Sequence, residues 1–114
     1  MDKQKIGYYG ECLAEQLLIS KNYTILSRNF RCRFGEIDII ARQNGTIACV
    51  EVKTRTSDTF GTGREAVSVE KQKHMRRAME YYLQTHNIRN VNVDFQVVEI
   101  TLNHFERIDA LGVM

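Results

Sequence analysis

The sequence predicts one small α/β domain in the order helix, three strands, helix, strand (αβββαβ), spanning residues 1–114. Three observations carry that prediction. Two stretches repeat apolar residues every three or four positions, four stretches alternate them, and an Asn-Gly dipeptide separates two of the alternating runs. At 114 residues there is room for a single modest core. With 43% hydrophobic and 26% charged residues, the chain falls in the globular class, apart from disordered and membrane chains. Its apolar runs stop well short of the roughly 20 residues that span a bilayer. The amino terminus, MDKQKIGYYGE, lacks the apolar segment of a secretory signal. The expected location is the cytoplasm, with no membrane partner.

The first helix is expected over 5–20, with Ile6, Tyr9, Leu13 and Leu17 as its apolar stripe. Glu11 lies at the edge of that stripe, where it can point to water or along the sheet edge. A first strand follows over 23–32, and its continuation SRNFRCRFG interleaves Phe30 and Phe34 with Arg28, Arg31 and Arg33. That pattern serves a base-stacking, phosphate-contacting surface or an edge strand with one wet face.

The next two strands, over 35–42 and 46–54, form a hairpin. Asn44-Gly45 is the dipeptide that most readily supplies two positive φ values in a tight turn. With those two as the turn, 43 faces 46, Asp38 faces Glu51, and Glu36 faces Lys53. Alternation puts Glu36, Asp38 and Ile40 on one face and Ile37, Ile39 and Ala41 on the other. Facing carboxylates are unfavourable unless they share a proton or bind a cation.

Residues 56–64, TSDTFGTGR, read as a loop long enough to be a functional lid or simply a surface connection. The second helix is expected over 65–86, burying Val67, Met75, Ala78, Met79, Tyr82 and Leu83. The last strand is expected near 91–102, followed by a short tail.

Cys12, Cys32 and Cys49 match neither a disulfide framework nor a metal motif, and read as buried free thiols. His74, His86 and His104 lack the spacing of a zinc site. The net charge of +2 hides an asymmetry: Lys21 to Arg77 holds twelve basic and six acidic residues, net +6, and the remainder is net −4. A basic surround about an acidic centre suits a phosphate-backbone partner or a merely solvated surface. There is no Gly-rich phosphate loop or Ser/His/Asp set, which speaks against a small-substrate metabolic enzyme.

Magnesium takes one or two protein carboxylates and keeps waters for substrate to replace. Asp38 and Glu51 suit that demand, and Lys53 on the same strand face would sit beside the ion to orient water or stabilise developing charge. The alternative on the residues alone is a Glu36–Lys53 ion pair with Asp38 and Glu51 merely exposed.

An acid followed by Glu-x-Lys on the next strand, in this element order, resembles the active site of the PD-(D/E)xK nuclease superfamily, with Ile37 where a Pro often precedes the Asp. Gly7, Gly10 and Glu11 near the start, the GEIDIIA and VEVKTR blocks, Phe60-Gly61, the basic second helix and VDFQVV together resemble the YraN-like family of small bacterial proteins, over about 7–98.

The superfamily resemblance implies a restriction-endonuclease-like three-layer core with a central mixed sheet flanked by helices. It implies Mg2+ or Mn2+ held by Asp38, Glu51, Glu11 and the Val52 backbone carbonyl, and hydrolysis of DNA phosphodiesters in which Asp38, Glu51, Lys53 and Glu11 take part. Some members, including archaeal Holliday junction resolvases, also use an acid on the first helix, the position Glu11 matches, and structured or branched DNA is the expected substrate. Arg28, Arg31, Arg33, Arg55, Lys73, Arg76 and Arg77 are the expected nucleic-acid contacts, and a homodimer is expected by analogy. The second reading is a non-catalytic nucleic-acid-binding module on the same fold.

Overall fold

A computed structural model describes residues 3–56 and 67–102. Its elements come in the expected order: α1 (Lys3–Ser20), β1 (Thr24–Cys32), β2 (Gly35–Gln43), β3 (Thr46–Thr56), α2 (Val69–Thr85) and β4 (Asn92–Leu102). The expected loop beyond Thr56, with Phe60-Gly61, and the tail beyond Leu102 lie outside the described residues. No helix among the described residues is long and apolar enough to cross a membrane.

The strands form one mixed sheet in the order β1-β2-β3-β4. β1–β2 and β2–β3 are antiparallel, and β3–β4 is parallel, with α2 as the crossover between them. Strict alternation along β3 builds the layers. Ile47 and Cys49 join Ile40 beneath Met75, Ala78, Met79 and Tyr82 of α2. Ala48 and Val50 join Ile39 and Ala41 beneath Ala14 and Leu18 of α1. A helix therefore covers each face of the sheet, giving the expected three layers. Each fully buried Ile in these two clusters contributes about 1.5–3 kcal/mol.

The second helix buries Met75, Ala78, Met79 and Tyr82 as expected, with Leu83 only partly buried, but begins at Val69, because Ser68 caps it, and so leaves Val67 ahead of the helix. The Ser68 hydroxyl accepts the Lys71 N–H at 3.1 Å. In α1 the expected stripe is displaced. Gly10, Ala14 and Leu18 are buried, whereas Tyr9, Leu13 and Leu17 are 51, 39 and 40% exposed. The cause is a close approach: a Cβ on Gly10 would lie 2.8 Å from both Thr54 Cβ and Cγ2. A helix that comes so near β3 presents its small residues and leaves the larger ones at the flank.

The hairpin register holds from Gln43↔Thr46 to Ile39↔Val50, as the turn dipeptide indicates. Only Asn44 is left-handed there, at φ 54°, with Gly45 outside that region. The alternation assigned to β2 fails at one point. Ile37 packs with Ile40 on the α2 side, not with Ile39. β1 makes the same switch. Arg28, partner of Ile39, reaches α1, while Phe30, partner of Ile37, meets Tyr82 of α2 at 5.1 Å between ring centroids. Between them Asn29 adopts φ 53°, a conformation Asn tolerates better than most residues. Asn29 and Asp38 thus mark a shared kink at which both strands exchange faces.

Gly10→Ala should lower stability by about 1–3 kcal/mol, because the clash exceeds the roughly 1 kcal/mol that alanine gains in a helix. Gly7→Ala, which meets nothing within 4 Å, should raise it by about 0.5–1 kcal/mol. Urea unfolding followed by circular dichroism checks the opposite signs.

Candidate active site

β2 parts from β3 just past Ile39↔Val50, although β3 runs on to Thr56 with β4 along its other edge. Asp38 is the first residue beyond the break. Its Oδ2 accepts the Val52 N–H at 2.8 Å, so a side chain supplies the acceptor for a strand that has lost its neighbour's backbone. The expected direct facing of Asp38 and Glu51 across the ladder is corrected accordingly: the paired ladder ends before reaching them. The expected facing of Glu36 and Lys53 lies beyond the same end of the ladder. Glu36 accepts from Arg31 Nε at 3.1 Å on the surface, and the register partner of Lys53 is Glu99 of β4.

Glu51 follows Ile47 and Cys49 on the α2 face and is only 7% exposed. Lys71 Nζ of α2 lies 2.5 Å from its Oε1. Lys53, two residues further along β3, is half-buried. Glu11 arrives from the opposite layer, next to the Gly10–Thr54 approach. It lines an open cleft of about 500 Å³ with Lys3, Gly7, Val52, Thr54 and Arg55. The Arg28 guanidinium lies 3.6 Å from Glu11 and 3.0 Å from Glu15, against the Cys12 thiol.

These groups share one electrostatic neighbourhood. Burial, helped by the negative charges of Glu51 and Glu11, raises Asp38 to about 6 against the opposing pull of the Val52 hydrogen bond and Lys71. Burial, then Glu51 and Asp38, push the Cys49 thiol up to about 12, so it is an inert core group. Accepting from its ammonium, Glu51 raises Lys71 above the ordinary lysine range. All three cysteines are free thiols; Cys49 is buried, while Cys12 and Cys32 are partly so.

Among the described residues, no three His, Cys, Asp or Glu side chains close into a metal cage. The donor set nevertheless suits a hard cation that takes one or two carboxylates. Asp38 and Glu51 each commit one oxygen to a hydrogen bond and feel each other's charge. Lys71 was not legible as a site residue. Its sequence signal is slight, a lysine three residues after a capping serine.

The expected nucleic-acid contacts occupy several surroundings. Arg28 is drawn inward to α1, and Arg31 pairs with Glu36. Arg33 stacks over Phe34 at 4.7 Å, and Arg76 lies 5.9 Å from the centre of the Phe95 ring. Lys73 and Arg77 line a surface depression on α2 with His74, and Arg55 borders the Glu11 cleft.

The family model described as "Uncharacterised protein family UPF0102" matches residues 10–113. A UPF0102 protein of Clostridium acetobutylicum is 48% identical over 101 residues, covering 89% of this chain and 83% of its own. One from Caldicellulosiruptor saccharolyticus is 46% identical over 103 residues, covering 90% and 87%. One from Moorella thermoacetica is 40% identical over 114 residues, covering 100% and 95%.

The Asp38 carboxyl binds its proton more tightly folded, with a value of about 6, than unfolded, near 3.8. Its contribution to stability therefore falls as pH rises from about 4 to about 6 and is flat above that. In metal-free protein, Asp38→Asn keeps an acceptor for Val52 and should remove that slope. At pH 8 it should be more stable than wild type by about 1–2 kcal/mol, less than the full shift because the carboxyl keeps partial contact with water. Chemical denaturation at pH 4, 6 and 8 checks both.

Proposed function

The chain belongs to the uncharacterised protein family UPF0102, the YraN-like family its motifs resemble, and on its own side chains we propose that it is a metal-dependent nuclease acting on DNA, with structured or branched DNA as substrate. The observation that carries this reading is Asp38. It is a carboxyl held at the point where the sheet splits, raised by burial and then by Glu51 and Glu11, with Lys53 two residues along β3 from Glu51.

Asp38 and Glu51 would hold Mg2+ or Mn2+, with Glu11 and the Val52 carbonyl as the further ligands the superfamily resemblance implies. Such an ion supplies Lewis acidity to a phosphate oxygen and acidifies a bound water. The protein's own part is geometric and electrostatic. The Val52 N–H fixes one Asp38 oxygen and so the direction of the other. Glu51 is kept largely from water, where its charge acts more strongly. Lys53 would orient the attacking water or stabilise charge developing on the phosphate. Arg55 and Lys3 border the cleft beside Glu11, where a phosphate backbone would be held. The basic residues on β1 and α2 would extend that hold, and two copies would address two strands.

One observation favours the second reading, a nucleic-acid-binding module without turnover: Glu51 already has a cation, Lys71. The two readings separate on metal dependence. Incubated with Mg2+ or Mn2+ and a panel of single-stranded, duplex, flap and four-way-junction DNA, wild type should cleave at least one substrate. Asp38→Ala and Glu51→Ala should each lose about 100-fold or more, the scale of removing a group that stabilises the transition state. No cleavage by wild type, or equal cleavage by the variants, overturns the nuclease reading. Salt-sensitive, metal-independent DNA binding would then support the module.

A further inference from the structure

We propose that Lys71 is a placeholder cation: in the metal-free protein its ammonium neutralises Glu51, and a divalent ion must displace it to bind there. The inference rests on the metal-dependent reading above and assigns the role to a residue outside the acid-then-Glu-x-Lys pattern.

A buried carboxylate needs a partner, because an uncompensated charge away from water is strongly destabilising. The side chain of Glu51 is 9% exposed and lies between a β3 core position and α2, so the requirement applies with full force. Its neighbour Asp38 adds a second negative charge to the same surroundings, and Glu11 a third. Among the described residues, Lys71 answers that excess by direct contact with a carboxylate oxygen.

The two partners differ in how firmly they are held. Glu51 is fixed by the central strand, whereas the side chain of Lys71 is 49% exposed and hangs from the first turn of a capped helix. The Ser68 cap holds the Lys71 backbone N–H, so the ammonium can swing to water by rotamer changes while the helix stays in place. A lysine ammonium is a compact point charge on a flexible stem and is well suited to such an exchange. Arginine, with its planar fork, would pair with Glu51 more persistently. The site is charge-compensated either way, by Lys71 without metal and by the divalent ion with it, and the two states exclude each other at Oε1. Metal affinity then carries the penalty of breaking the pair.

Calorimetric titration of Mn2+ into metal-stripped full-length protein tests this in wild type, Lys71→Met and Lys71→Arg. Lys71→Met keeps the aliphatic stem and removes the competitor, so it should bind Mn2+ at least fivefold more tightly. Lys71→Arg should bind no more tightly than wild type. Thermal unfolding supplies a second readout: without metal Lys71→Met should melt below wild type, and saturating Mn2+ should raise its midpoint by more than it raises that of wild type. Binding of Mn2+ by wild type with no tightening in Lys71→Met overturns the placeholder and leaves the metal reading standing. Absence of Mn2+ binding in both wild type and Lys71→Met overturns the metal reading and the placeholder with it.

Discussion

The hydrogen bond from the Val52 N–H to the Asp38 carboxylate is the contact on which the site depends. A strand that parts from its neighbour in mid-sheet strands its backbone donors, and each unmet buried donor costs about 1–3 kcal/mol. Here the donor is met by an acid, so the place where the sheet opens also carries charge. Any backbone acceptor would have served the sheet equally well; a carboxylate serves it and leaves a second oxygen over. Because the opening lies between β2 and β3, it is reached from both layers. Glu51 approaches with the α2 face and Glu11 with the α1 face. Residues far apart in sequence thereby fall within one another's electrostatic reach without sharing a strand face.

The kink at Asn29 and Asp38 is what permits this. Before it, β2 alternates regularly and packs Ile39 and Ala41 against α1. After it, Ile37 turns to α2 and takes Phe30 along, so both strands stay paired with each other while β2 leaves β3. A two-strand unit bending as a whole keeps the β1–β2 register continuous from Ser27↔Ile40 to Cys32↔Gly35 at the cost of one left-handed Asn. Gly35, at φ 149° and with its ideal Cβ position 3.2 Å from His74 Cβ, then lets the tip of that unit lie against α2.

Much of this was legible in the sequence because it is local. The helix periodicity, the strand alternation and the Asn-Gly turn settle the element order, and the turn arithmetic settles the β2–β3 register as far as Ile39↔Val50. Extrapolating that register even one residue further, to Asp38 and Glu51, failed for a physical reason. Pairing rules assume a continuous ladder, and nothing within residues 35–54 announces that β2 bends with β1. The signal was Asn29, on a different strand, and it is ambiguous because Asn occurs readily in turns. The displaced stripe of α1 has a similar origin. Periodicity ranks residues by hydrophobicity, whereas Gly10 and Ala14 are buried because they are small enough for the helix to reach Thr54. Lys71 stayed hidden because its contact joins a helix turn to a strand twenty residues away in the chain, a tertiary fact without local pattern.

Arg28 and Lys71, which meet acids of the site, are attached in different ways, and the difference bears on what each acid can do. Arg28 sits between Glu11 and Glu15, with the shorter contact to Glu15 and the Cys12 sulfur alongside. It would remain paired if Glu11 turned toward another partner, so its place under α1 is structural and Glu11 is left with latitude. Its inward setting also withdraws it from the surface, which shifts the weight of any phosphate contact near Glu11 to Arg55 and Lys3. Lys71 has a single carboxylate contact among the described residues, and Glu51 has no comparable freedom because the central strand fixes it. Where the acid is fixed, exchange must come from the cation; where the cation is fixed, it must come from the acid. The same gap in the sheet is thus flanked on one face by a pair whose more exposed member is the lysine and on the other by an arginine that bridges two glutamates.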